Sequence, residues 1–176
     1  MRILKLGFIS FFFLFLIVTI ISLFIPGHVR ISRAINVSAL PKDILVQKSD
    51  FKNWSNWYPD LKKLPAGQIQ FLDSVNGIVT RMNLKTTGVS MKLATEKEVI
   101  TELKQPGKKI VLSGWNIIEY AAKDSVTVQW YMDFKLNWYP WEKFASIMFE
   151  KSYGEKMEAG LSNLKKYLEM NRPSLK

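Results

Sequence analysis

Cysteine is absent from the 176-residue chain, and histidine occurs once, at His28. No disulfide framework, thiol chemistry or thiolate metal site can be built from such a chain. The usual nucleophile–base pairs and zinc sites cannot be assembled either. His28 directly follows an apolar run, a poor position for a catalytic base. The glycines form no phosphate-cradling loop, since Gly154 and Gly160 fall within a helical pattern. Internal repeats and low-complexity stretches are also missing, and one domain is the natural count for this length. No metal and no cofactor is expected.

Charge is missing from one stretch in particular. Leu6 to Ile25 is a run of twenty uncharged residues, sixteen of them Leu, Ile, Val or Phe. At 1.5 Å per helical residue it is long enough to cross a hydrocarbon core of roughly 30 Å. Its insertion free energy sums to roughly −5 to −10 kcal/mol. A cleaved secretory signal is the rival reading, but signal cores are shorter and end at a small-x-small site. This run ends in Leu23-Phe24-Ile25-Pro26-Gly27, so an uncleaved membrane anchor is expected over residues 1–27. Arg2 and Lys5 precede the run, and Arg30, Arg33 and Lys42 follow it. A large downstream domain tends to translocate regardless of charge. The expected arrangement is an amino terminus in the cytoplasm and a domain on the outer face of the cell (inner) membrane.

Beyond the anchor lie 23 basic and 15 acidic residues, a net charge of +8. The basic residues are scattered through strand and helix patterns and form no arm, so no nucleic-acid partner is expected. Anionic lipid head groups attract nearby Lys and Arg at about 1 kcal/mol each, which makes the bilayer the better partner. A merely solubilising surface is the plain alternative.

His28 to Ser38 alternates, with Val29, Ile31, Ile35 and Val37 sharing one parity, and reads as a half-buried strand. Pro41 opens a short helix to Lys48, and a second helical stretch runs from Asp50 to Trp57 before Tyr58-Pro59 breaks it. From Gln68 the period becomes two. Strands over Gln68–Val75 and Ile78–Thr86 flank Asn76-Gly77, the strongest short hairpin signal. A polar strand from Glu96 to Gln105 ends at Pro106-Gly107, and Lys108–Tyr120 pairs with Ser125–Leu136 around the turn 121–124. In that last strand Thr127, Gln129, Tyr131, Asp133 and Lys135 alternate with apolar residues, so one face is expected to be buried and the other wet.

Phe144, Ile147, Met148, Met157, Leu161, Leu164 and Leu168 recur at three- and four-residue spacing, which marks an amphipathic helix that Gly154 bends or divides. Asn171-Arg-Pro173 stops it, leaving a polar tail over residues 172–176. The order predicts an α+β domain over residues 28–171. A curved antiparallel sheet grips a long C-terminal helix, and one N-terminal transmembrane helix precedes it.

Four local patterns resemble the START-like (SRPBCC) helix-grip superfamily, specifically its membrane-anchored bacterial members related to polyketide cyclase/dehydrase proteins. They are the opening strand and its exit, Val29 to Pro41; the paired-tryptophan segment Asp50 to Pro59; Val126-Thr-Val-Gln-Trp130; and Gly160-Leu-Ser-Asn-Leu164-Lys165. Their order spans residues 28 to about 170. Asp124-Ser125 stands where the family commonly has Gly-Thr, and Gly88 to Thr95 lacks a tryptophan often found there, which leaves strand count and register open through about residue 105. The resemblance implies an apolar cavity between sheet and long helix, used across the family for lipids, sterols, polyketides and other hydrophobic ligands.

The candidate walls of that cavity depend on register. If Trp130 faces Asn116, then Ile110, Leu112, Asn116, Ile118, Val128, Met132 and Phe134 point inward. Gly114 then lies opposite Met132 and leaves a gap. Sliding the pairing by one residue sends Asn116 outward and Trp115 inward; the first register is adopted. The candidate ligand-binding set further takes in Trp54, Trp57, Met82, Leu84 and Trp130, with Phe144, Met148 and Met157 from the helix pattern. Trp54 and Trp57 suit core anchors better than ligand contacts. Trp138 and Trp141 straddle Pro140 and suit a cavity mouth, a membrane interface or plain packing. The methionines fill gaps in any core and also suit a variable ligand.

Carboxylate chemistry is formally open to Asp73, Glu119, Asp133 or Glu142, although Glu119 and Asp133 have solvent-face parity. No catalytic residue is assigned. The expected function is a membrane-tethered domain that binds a lipid or polyketide-like molecule. The alternatives are a cyclase/dehydrase-type enzyme and a protein-interaction module on the same fold.

Overall fold

Proline sets three of the helix starts. Pro41, Pro59 and Pro140 each stand in the first turn of a helix, where a missing N–H leaves no bond unmade. The computed structural model describes residues 2–119 and 125–171; the turn expected at 121–124 and the tail at 172–176 lie outside them. Helix α1 (Arg2–Leu23) is followed by strand β1 (His28–Val37), helix α2 (Pro41–Ser49), a 3₁₀ turn at Phe51–Asn56 and helix α3 (Pro59–Lys63). Asp50 caps the 3₁₀ turn, its carboxylate accepting from the Lys52 amide at 3.0 Å and from the Val79 amide at 3.2 Å.

Strands β2 (Ile69–Phe71), β3 (Ser74–Val75), β4 (Ile78–Val79), β5 (Arg81–Leu84), β6 (Thr87–Ala94), β7 (Glu98–Lys104), β8 (Val111–Glu119) and β9 (Val126–Lys135) come next. Helices α4 (Pro140–Ser146) and α5 (Phe149–Met170) close the chain. Seven strands form one antiparallel sheet in the order β1-β9-β8-β7-β6-β5-β2, and β3 and β4 form a separate hairpin. The hairpin turns through Asn76 and Gly77 at φ of 51° and 80°, the left-handed pair that a two-residue turn needs. With α5 held against the curved sheet, the architecture is the expected α+β helix grip.

Several expectations need correcting. The strand expected over 78–86 is split into β4 and β5 and ends at a turn where Lys85 has φ 54°. The stretch left open at Gly88–Thr95 is a full strand, β6, irregular between Met91 and Leu93. Helix α3 was not foreseen. Gly154 neither bends nor divides the C-terminal helix, which is interrupted earlier, between Ser146 and Phe149. Gly154 serves instead to admit Arg33, whose guanidinium would lie 2.5 Å from a Cβ placed there. It binds Glu150 and Glu158 on α5.

The last hairpin takes the slid register. Trp115 pairs with Trp130 and Ser113 with Met132, so Leu112, Asn116 and Ile118 point to the convex face rather than into the interior. Packing decides this: the slid register buries the large indole of Trp115 completely and leaves the amide of Asn116 donating to Gln129 at 3.1 Å. Gly114 lies opposite Tyr131, not Met132. The Tyr131 ring occupies its gap, coming within 2.0 Å of a Cβ placed at 114.

The convex face of β9 is also less wet than its alternation suggests. Tyr131 and Asp133 are buried. The Asp133 carboxylate accepts two bonds from Arg30, both at 2.6 Å. Tyr131 lies under the same guanidinium at 4.4 Å and donates to Glu98 at 3.0 Å. Burial, with the Glu98 bond second, pushes the Tyr131 phenol up to about 12.

The antiparallel register gives the sheet a proximal end, near the foot of α1. There β1 begins, β9 ends and the β5–β6 and β7–β8 turns lie.

Candidate functional site

The space between sheet and α5 is filled at one end and open at the other. Its filled part is aromatic. Trp115 and Trp130 stack with centroids 4.3 Å apart, and Trp57 meets both edge-on at 5.0 and 5.9 Å. Trp54 tilts against Trp57 at 5.2 Å. Three of these indoles donate inside the protein: Trp54 to the Lys48 carbonyl, Trp57 to the Gln47 carbonyl and Trp130 to Ser113 Oγ. Gly160 brings α5 close, since a Cβ there would lie 2.9 Å from the Trp130 ring. Trp54, Trp57, Trp130, Val128, Met82 and Met157 are all buried in this core.

One cationic group is trapped in it. The Lys48 side chain is wholly buried, and its Nζ, like the Trp115 Nε1, has no hydrogen-bond partner among the described residues. The ammonium sits 5.1 Å from the Trp115 ring centroid. Desolvation lowers the Lys48 pKa to about 7.

Toward the proximal end the cluster of indoles stops and a groove opens in two adjoining lobes of about 360 and 490 Å³. Leu103, Gln105, Met132 and Tyr153 line both lobes. The first lobe adds Phe134, Val111 and Phe149; the second adds Leu84 and Tyr58. Volumes of this size are typical of small-molecule sites; here the apolar side chains share the lining with charged ones, Lys108, Lys109 and Lys135 in the first lobe and Lys63, Lys85 and Lys156 in the second. Tyr153 packs against Phe134 at 4.8 Å and Phe149 at 5.7 Å. The half-buried Tyr58 phenol is held above its ordinary pKa by desolvation, with Asp60 adding to the effect. It therefore stays a neutral hydrogen-bonding group.

Of the sequence candidates, the structure brings Leu84, Ile110, Met132 and Phe134 to this groove. Phe144 and Met148 lie on the exterior around α4, with Met148 57% exposed. Sequence reasoning missed Leu103, Gln105, Tyr58, Phe149 and Tyr153. Tyr153 precedes Gly154, and the apolar spacing from Phe149 through Tyr153 to Met157 was the signal available. Among the described residues no group of three or more His, Asp or Glu is placed to hold a metal ion.

No family model and no curated protein matches the chain in sequence. Solved structures do match its fold. A START superfamily protein from Mycobacterium smegmatis is 20% identical over 83% of this chain and all of that one, with a TM-score of 0.60. A protein from Nitrosospira multiformis is 13% identical over 82% of this chain and all of that one, with a TM-score of 0.61. The di-domain ARO/CYC protein BexL of the BE-7585A biosynthetic pathway is 14% identical over 84% of this chain, which spans 52% of BexL, with a TM-score of 0.55. These likenesses identify the START-like helix-grip fold.

Proposed function

We propose that the chain is a membrane-tethered domain that binds a hydrophobic small molecule, a lipid or polyketide-like compound, in the groove between the sheet and α5. The observation that carries the reading is the position of the groove. Its wall includes Leu136 and Asn137, and the Leu136 amide donates to the carbonyl of Gly27 at 2.8 Å, four residues after Leu23, where the apolar helix ends. An apolar cleft at the foot of a helix long and apolar enough to cross a bilayer is well placed to exchange ligand with lipid. Among the described residues its lining carboxylates are Asp60 and Glu142, and Glu142 accepts from the Asn137 amide at 2.9 Å. Binding without chemistry is therefore the simpler reading.

The test is organic extraction and mass spectrometry of the full chain purified in detergent, beside Leu103→Trp, which places an indole where the two lobes meet. A co-purifying hydrophobic compound that disappears in a folded Leu103→Trp variant supports the reading. Equal recovery from both proteins, or none from either, overturns it.

A further inference from the structure

Helix α4 is amphipathic the wrong way round for a protein in water. It buries Pro140, Lys143 and Ser146, while Trp141 is 64% exposed and Phe144 lies outside with it. The flanking residues continue the pattern: Trp138, Ile147 and Met148 are each more than half exposed. Tyr139 stacks on Trp141 with centroids 4.9 Å apart, so the two rings present one aromatic surface. Large contiguous apolar surface of this kind marks a partner or a membrane.

The position of α4 decides between them. Its buried Lys143 donates to the Ile25 carbonyl just after α1, and Ser22 near the end of α1 is fully covered. The exposed aromatics are thus fixed beside the point where the apolar helix ends. Tryptophan and tyrosine rings belong at that level of a bilayer.

Charge is segregated in the same direction. The proximal turns and strand ends carry Lys85, Lys108, Lys109 and Lys135, all exposed and none in an ion pair among the described residues. The opposite end of the sheet is close to neutral, with Glu96 and Glu119 beside Lys42 and Lys97. Lysines within a Debye length of an anionic leaflet are attracted to it.

We infer that the proximal face is a membrane-docking surface. The aromatic side of α4 enters the head-group region of an anionic bilayer, Lys108, Lys109 and Lys135 meet lipid phosphates, and the mouth of the groove sits on the lipid surface. This rests on the proposed tether, and it adds the face, its depth and its lipid charge preference.

The lack of cysteine makes the test direct. Single Trp141→Cys, Ile147→Cys and Met148→Cys variants of the full chain, with Glu96→Cys as the distal control, are spin-labelled. They are then reconstituted in phosphatidylcholine vesicles with and without phosphatidylglycerol. Labels at 141, 147 and 148 should be several-fold more accessible to oxygen, and several-fold less accessible to a water-soluble nickel chelate, than the label at 96. The contrast should grow with phosphatidylglycerol and lose that dependence in a Lys108→Glu/Lys109→Glu background.

Nickel accessibility equal to that at 96 overturns the inference. Shielding that disappears when the chain is diluted in lipid, with spin–spin broadening before dilution, also overturns it in favour of contact between copies. Alkaline extraction separates the causes. A chain retained in the membrane with water-exposed labels loses only the docking face, whereas a chain released by alkali loses the tether as well.

Discussion

The indole of Trp115 lies flat against that of Trp130, their planes 14° apart and their centroids 4.3 Å apart. This one pair, formed across β8 and β9, sets the register of the last hairpin and fills the middle of the helix grip. The groove is thereby displaced toward the proximal end, where Met132 and Phe134 continue the inward face of β9 without a second indole beside them.

The stack also makes Gly160 intolerant of a side chain. Trp130 is held between Trp115, Trp57 and α5 and cannot move away from a Cβ that would lie 2.9 Å from its ring. Replacing a helical glycine by alanine gains about 1 kcal/mol in propensity, but overpacking costs about 1–3 kcal/mol. Gly160→Ala should therefore lower stability by up to roughly 2 kcal/mol in urea unfolding followed by tryptophan fluorescence. Gly154→Ala meets only the far end of the Arg33 side chain, which can give way at the cost of its pairing with the exposed Glu150 and Glu158, and should stay within about 1 kcal/mol of the parent.

On the convex face the tight contact is between Gly114 and Tyr131. Gly114→Ala drives a Cβ into the ring, and Tyr131 must leave Glu98 and Arg30 to accommodate it. A loss of about 2–4 kcal/mol is expected. In a Tyr131→Ala background the same substitution should be nearly neutral. A double-mutant cycle with a coupling below about 0.5 kcal/mol would show that the contact does not carry the loss.

Lys48 gives the domain a pH signature. Its pKa falls from 10.5 to about 7 on folding, so between those values the unfolded chain binds more protons than the folded one. Stability should rise with pH through that window and level off below about 7 and above 10.5. Lys48→Met keeps the length and removes the trapped amine. It should flatten the profile and raise stability near pH 7 by a few kcal/mol. Thermal unfolding across the pH range measures both.

The fold was legible in the sequence because its strongest signals are local. Pro41 and Pro140 mark helix starts, Asn76-Gly77 marks a hairpin, and the alternation from Val126 to Phe134 marks a strand with one buried face. The register of β8 was not legible. Both parities of that strand carry apolar residues, Leu112 and Ile118 on one and Trp115 and Ile117 on the other, and only the partner strand decides between them. Once the wrong parity was chosen, Asn116 pointed into the site and Trp115 out of it. Phe144 and Met148 were misplaced for a different reason. Their apolar spacing is genuine, but the chain breaks after Ser146 and turns that stripe outward beside α1, a three-dimensional fact with no local signature.

Tyr153 is the residue that should govern what the groove accepts. Its ring lines both lobes and leans on Phe134 and Phe149, so it narrows the passage between them. Tyr153→Ala removes that constriction and joins the lobes into one longer channel. The variant should be less stable by about 1–3 kcal/mol, since the ring is half-buried rather than part of the solid core. It should also retain longer or bulkier hydrophobic compounds than the parent. Mass spectrometry of organic extracts from the two proteins reads the difference: a shift of the bound population to higher mass is the expected outcome. An unchanged ligand profile in a folded variant would mean that the lobes are filled independently and that Tyr153 is packing alone.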